Sequence, residues 1–258
     1  MGDVLYAAPP NDHLNRRLFA RSAAVSEDEP LRALLEQLCT DSIYSIKDDF
    51  DKGIDTGLWL VQNFHLDEHD LNGTLTTTQP DEPAPLPDDA PERGSYIASA
   101  KDGWTSARRC TTQVRFRPNA FNGKFEVGFA AEHPDNMPFG LVDMSGPRAE
   151  SHTNDWGAVV FDRRLSATTW GIARRTAGGT PAVTSVTPAV TPSAGRANTV
   201  LIAINEYPEV LVWVNGQFLG RGLNGPRANS PMRIWVYAND HFAVDIDYIQ
   251  AWQERSKV

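Results

Sequence analysis

The chain has little cysteine: two residues, Cys39 and Cys110, in 258. That excludes a disulfide framework and a cysteine zinc site, and leaves two reduced thiols or at most one bridge. Long apolar runs are missing, and no stretch approaches the roughly 18 residues of a membrane span. The start, MGDVLYAAPPNDHLNRRLF, has no basic block followed by an apolar one, so no secretory signal is read there. Its sixth residue is Tyr6 rather than Ser or Thr, which argues against myristoylation. The expectation is a protein made in a cytoplasm and not exported by the usual route. Basic charge is also short: 24 Lys and Arg stand against 33 Asp and Glu, a net charge of −9. Phosphate contacts need a basic surface, so no nucleic-acid partner is expected. Gly-x-Ser-x-Gly, phosphate-loop and dinucleotide motifs are all absent.

Helical periodicity is scarce too. One short amphipathic segment, SEDEPLRALLEQLCTD, has Ser26 as a cap, acids in the first turn and Pro30 early. Leu31, Leu34, Leu35 and Leu38 form its apolar stripe. Such a helix is not stable alone. It packs either on its own domain or on a partner chain. It lies within a polar N-terminal arm, residues 1–43.

From Tyr44 onward the pattern is β. YSIKDDF, LWLVQNFHL, DLNGTLTTT, SYIASA, RRCTTQVRFRP and GKFEVGFAAE read as strands. WGAVVFDRR and TTWGIARRTAGG read as a hairpin, and TPAVTSVTPAVTPSAGR as an edge strand or loop. NTVLIAINEYPEVLVWVNGQFLGRGL holds three more strands. MRIWVYANDHFAVDIDYIQAWQ reads as a closing hairpin around an Asn-Asp turn. In it Val244, Ile246 and Tyr248 share one side, and Asp245, Asp247 and Ile249 the other. QPDEPAPLPDDAPERG, with five prolines, is a stiff polyproline-like loop. HPDNMPFGLVDMSGPRAESHTND has no period, and long loops in compact domains are often functional. About a dozen short strands at regular spacing predict a sandwich. A parallel α/β fold is excluded, because helical crossovers are missing.

Three stretches carry a family resemblance. DDFDKGIDTGLWLVQNF resembles the opening of concanavalin A-like lectin/glucanase domains, including laminin-G-like ones. NEYPEVLVWVNGQFLG resembles their late hairpin, and FAVDIDYIQAW their closing strand. The resemblance implies an all-β, concanavalin A-like jelly-roll sandwich of two antiparallel sheets over residues 44–258, behind a short N-terminal helical arm. It implies that the first and last strands are neighbours.

Glucanases of this fold carry Glu-x-Asp-x-x-Glu on one strand, which is absent here. Their chemistry needs two carboxyl groups flanking one bond. In FEVGFAAEH, Glu126 and Glu132 would lie about 20 Å apart on a regular strand, too far to do so. Asp143 or Asp162 could complete a pair with Glu126, but no motif requires it. His65 and His69 in HLDEH would be about 13 Å apart on a strand, too far to share zinc. No cofactor is required by any motif. Relatives often hold a structural Ca2+ between first and last strands, and here Asp49 or Asp51 with Asp247 are the candidates. A turn rich in Asp and Gly also forms without metal. A sugar site needs an aromatic platform beside planar polar groups. Trp156 beside Asp155, Asn154 and His152 is the candidate, with Trp170, Trp104 and Arg174 able to join. The plainer reading is that most of the seven Trp pack in the core.

Such jelly rolls are common in phage tail and capsid-surface proteins, and a virus needs no export signal because it is released by lysis. The expectation is therefore a non-enzymatic phage virion protein, a minor tail or adhesin-like component. Its lectin-like domain would meet a bacterial surface glycan. Residues 1–43 would hold it to other virion proteins, as part of a homo-oligomer. The alternatives are a cellular carbohydrate-binding module and a glucanase-type glycoside hydrolase.

Overall fold

A computed structural model describes residues 42–66, 74–77, 94–105, 109–118, 123–137, 140–141, 154–162, 168–187, 195–205, 209–227, 229–239 and 244–254. The helix expected in the N-terminal arm lies outside them. The strands among these residues form two antiparallel sheets. Sheet A contains β1 (Ser42–Asp48), β3 (Phe64–Leu66), β4 (Leu75–Thr77), β7 (Cys110–Pro118), β12 (Asn198–Ile204), β13 (Val210–Val214), β14 (Gln217–Gly222) and β16 (Val244–Glu254). Its order is β14-β13-β12-β7-β16-β4-β3, with β1 also beside β16. Sheet B contains β2 (Trp59–Gln62), β5 (Gly94–Ser99), β6 (Trp104–Thr105), β8 (Lys124–Ala130), β9 (Trp156–Asp162), β10 (Trp170–Arg175), β11 (Ala182–Val186) and β15 (Pro231–Asn239). Its order is β11-β10-β9-β8-β15-β5-β2, with β6 beside β15.

The expected sandwich forms because about one residue in two along the central strands is large and apolar, and strand side chains alternate between faces. Val200, Ile202 and Ile204 of β12 meet Phe125, Val127 and Phe129 of β8 in one core. Phe116 of β7 and Phe125 of β8 join the two layers with ring centroids 4.5 Å apart, and Phe161 and Trp170 pair 5.1 Å apart across neighbouring strands of sheet B. The β9–β10 hairpin forms as expected, and β11 is an edge strand.

The closing hairpin does not form. β15 lies in sheet B between β8 and β5, whereas β16 lies in sheet A between β7 and β1. The chain crosses from one sheet to the other instead of turning back. Local turn chemistry suggested pairing, but each strand fills a central slot in a different sheet, and both send apolar residues into the shared core. The first and last strands are neighbours as expected, with Ile46 opposite Ala251. An irregularity between Ile246 and Tyr248 then breaks the simple alternation. Ile246 and Ile249 point into the core, and Tyr248 turns outward to accept a 2.6 Å hydrogen bond from Gln113. A bulge re-aims side chains in this way.

Gly128 marks the tightest approach of β8 and β9, because a Cβ there would lie 2.2 Å from the Gly157 carbonyl oxygen. Gly128→Ala is expected to lower unfolding stability by about 1–3 kcal/mol through overpacking. Urea denaturation checks this, and an unchanged midpoint would contradict it.

Candidate functional site

The face of sheet B turned away from the core is the site. Alternation along β5, β8, β9, β10 and β15 puts Tyr96, Glu126, Trp156, Ala173, Trp235 and Tyr237 there. Tyr96, Trp235 and Tyr237 form a stacked series, with centroids 5.9 and 5.8 Å apart. Beside it runs a strip of small residues, where Gly128 faces Ala158 and Ala158 faces Ala173.

Part of the long unperiodic stretch closes over this face. After β8 ends, the chain makes a 3-10 turn at Pro134–Asn136, and Gly140 and Leu141 lie against the sheet. Met137 and Leu141 are buried against the aromatic series. Gly140 has φ +78, and a Cβ there would lie 2.7 Å from a Glu126 carboxylate oxygen. Glycine is what permits this left-handed, close approach. Glu126 itself is 0% exposed. It accepts hydrogen bonds from the Leu141 amide at 2.7 Å and the Trp235 indole at 3.0 Å, and pairs with Lys124 at 3.0 Å. The Lys124 ammonium also lies 5.2 Å from the Tyr237 ring centroid. A buried carboxylate persists when it is both paired and hydrogen-bonded, so Glu126 ties the loop to the sheet.

The loop carries a polar rim that faces water. Glu132 accepts from the Asn136 amide at 2.8 Å and the Asn154 amide at 2.5 Å. Asp135 accepts from the Tyr96 hydroxyl at 2.8 Å and lies 3.4 Å from His133. Burial, with the hydrogen bond to Asp135 and its charge, pushes the Tyr96 hydroxyl up to about 12.

The residues singled out in the sequence do not assemble as one sugar site. Asn154 stands on the rim, but His152 lies outside the described residues. Trp156 is on the outer face yet fully buried, and Trp170 and Trp104 point the other way, into the core. Opposite strand parity explains this, since Trp156 lies across from Arg175 and Trp170 across from Phe161. Arg174 lies beside β14, donating to the Leu223 carbonyl at 2.6 Å and to Thr184 at 2.8 Å. Asp155 is a structural tie. It accepts from the Ala177 and Arg227 amides, the Arg227 guanidinium and the Ser230 hydroxyl at 2.8 to 3.1 Å. Burial alone would raise its pKa, but these donors outweigh it and hold the carboxyl below its ordinary value. Lys124, Glu126, Tyr96, Trp235 and Tyr237 were not singled out as one site. The alternating polar and aromatic residues of β15 and β8 carried the signal, but only the register joins them.

At the proposed calcium position, Asp247 forms a 3.0 Å ion pair with Arg115. Asp51 is exposed in a turn and Asp49 is half-buried. Among the described residues no group of three or more His, Cys, Asp or Glu converges to hold a metal. A calcium ion there would depend on backbone carbonyls and water for most of its ligands. The described residues fit the ion poorly.

No protein-family model and no curated protein sequence matches the chain. Solved structures do. The carbohydrate recognition domain of Emp47p is similar with TM-score 0.54 and 13% identity, over 82% of this chain and 96% of that one. A Bacillus licheniformis β-glucanase is similar at 0.51 and 11% identity, over 82% and 98%. The exoplasmic/lumenal domain of VIP36 in its Ca2+/Man3GlcNAc-bound form is similar at 0.50 and 11%, over 78% and 88%. The sandwich is thus the concanavalin A-like jelly roll of lectins and glucanases. At these identities the likeness is one of fold.

Two outcomes check the local electrostatics. Asp155→Ala is expected to cost about 2–4 kcal/mol of stability by leaving the buried Ser230 hydroxyl and three partly buried donors without their acceptor, read by chemical denaturation. The native protein should lose this tie as pH falls below the ordinary carboxylate value of 3.8, through the lower folded-state pKa. Tyr96 should shed its contribution in the opposite direction, as pH rises from about 10 to about 12. Asp135→Asn should bring its ionisation, followed by absorbance, back toward that of a free tyrosine.

Proposed function

We propose that the chain is a non-enzymatic, lectin-like structural protein of a phage virion, a minor tail or adhesin-like component that recognises host-surface glycan. The observation that carries the binding reading is the polar rim. Carboxylates and amides of Glu132, Asp135, Asn136 and Asn154 are held in fixed directions beside Tyr96. Planar acceptors and donors of this kind match the paired hydroxyls of a sugar ring. Two similar structures, a carbohydrate recognition domain and a Man3GlcNAc-bound domain, lend support. The sugar would bind at the rim, because the aromatic series behind it is roofed. The virion setting rests on the habits of the family that the sequence resembles, and residues 1–43 would be the attachment to neighbouring virion proteins.

The non-enzymatic reading is supported by the state of Glu126, whose carboxylate is occupied by Lys124, Trp235 and Leu141 beneath the loop. A glycoside hydrolase is the second reading, favoured by the likeness in fold to a Bacillus licheniformis β-glucanase.

A glycan array probed with the full chain tests the proposal. Retention of a defined glycan class is expected, weakened at least about tenfold in Asp135→Ala/Asn154→Ala through lost charged hydrogen bonds. Failure to retain any glycan would remove the lectin reading. Release of reducing ends from a polysaccharide, abolished in Glu126→Gln, would establish the hydrolase instead.

A further inference from the structure

The face of sheet A turned away from the core has no role so far. Directly opposed residues across β13, β12, β7 and β16 set Trp213, Leu201, Gln113 and Gln250 in one row. Trp252 stands in the next, opposite Thr111. All are buried, and Trp252 is 0% exposed. An outer sheet face is ordinarily wet, yet no described strand overlies this one. Its margins are wet: Phe218 is 48% exposed at one flank, and Ser45 and Lys47 are exposed at the other. The Trp252 indole N–H has no hydrogen-bond partner among the described residues.

The chain supplies a matching occupant. β1 begins at Ser42, paired with Glu254, two positions from Trp252. The residues before Ser42 therefore arrive at this corner. Leu38 lies four residues upstream, a reach of at most about 14 Å. As a helix, residues 26–38 would be about 20 Å long. The row from β16 to β13 spans three interstrand spacings, about 14 Å. An apolar stripe of four leucines is thus tethered beside a buried row of similar length, which sets Trp252, Leu201 and Trp213 among Gln113 and Gln250. We propose that residues 26–38 dock in cis on the outer face of sheet A, with Leu31, Leu34, Leu35 and Leu38 over Trp252 and Leu201. Attachment to neighbouring proteins then falls to residues 1–25. This docking does not depend on whether the chain binds glycan.

The test uses the full chain labelled with 5-fluorotryptophan, with Trp252→Phe identifying its resonance. In the native chain the Trp252 signal should show no H2O/D2O solvent shift. In Leu31→Ser/Leu34→Ser/Leu35→Ser/Leu38→Ser it should acquire one, while the core signals of Trp59, Trp104 and Trp170 stay unchanged and report an intact fold. Continued shielding of Trp252 in that variant would overturn the proposal. So would a native signal that becomes solvated on dilution to monomer, because a second copy would then be the cover. Leu201→Lys supplies an independent check by charging the face beneath the segment. Trypsin should cut after Arg32 at least about tenfold faster than in the native chain, as expected when a docked segment is released. Equal rates in the two proteins would also overturn it.

Discussion

A carboxylate without water is the constraint on which the site depends. Glu126 lies midway along β8 on a sheet face that is otherwise aromatic and small. It can stay there only with partners, and three converge on it: the ammonium of Lys124, the indole of Trp235 and the amide of Leu141. The last of these belongs to the loop. Satisfying Glu126 therefore holds Leu141 against the face and demands glycine at position 140, where a side chain would strike the carboxylate. The same path delivers Asp135 to the Tyr96 hydroxyl and sets Glu132 between two amides. One buried charge closes the face and builds the rim.

The two outer faces of the sandwich are used differently. On sheet B the connection after β8 folds back as a roof, and polar groups gather at its edge. On sheet A the buried row around Trp252 is the seat proposed for residues 26–38. The first and last described strands meet at that corner, because β1 and β16 are paired. This arrangement makes the last strand central rather than peripheral. β16 has β7 on one side and β1 and β4 on the other.

Much of the fold was legible in the sequence. Alternating apolar residues gave β12, β13 and β16, and the β9–β10 hairpin followed from two runs with a short connection. The family resemblance gave the pairing of first and last strands. Three things were not legible. The Asn-Asp pair after β15 looks like a hairpin turn, but sheet membership is settled by distant neighbours, β8 and β5 for one strand and β7 for the other. The irregularity at Asp247 reverses which of Tyr248 and Ile249 is buried, and a simple period of two cannot show it. Tryptophans read as a cluster by proximity in sequence, Trp156 and Trp170, face opposite sides of one sheet. The site followed the same logic. Asn154 reached the rim, while its neighbour Asp155, just before β9, became a tie between loops. Glu126 was weighed only as half of a catalytic pair, and nothing local announced Leu141 as its partner.

The most direct test of the closed face is hydrogen exchange at two sites in the native chain, the Leu141 amide and the Trp235 indole. Both donate to Glu126. Exchange as slow as that of the central strands is the expected result, because release of either proton then requires opening of the face. Exchange at the rate of an exposed loop would contradict it, and would mean that the aromatic series of sheet B stands open to solvent and to ligands.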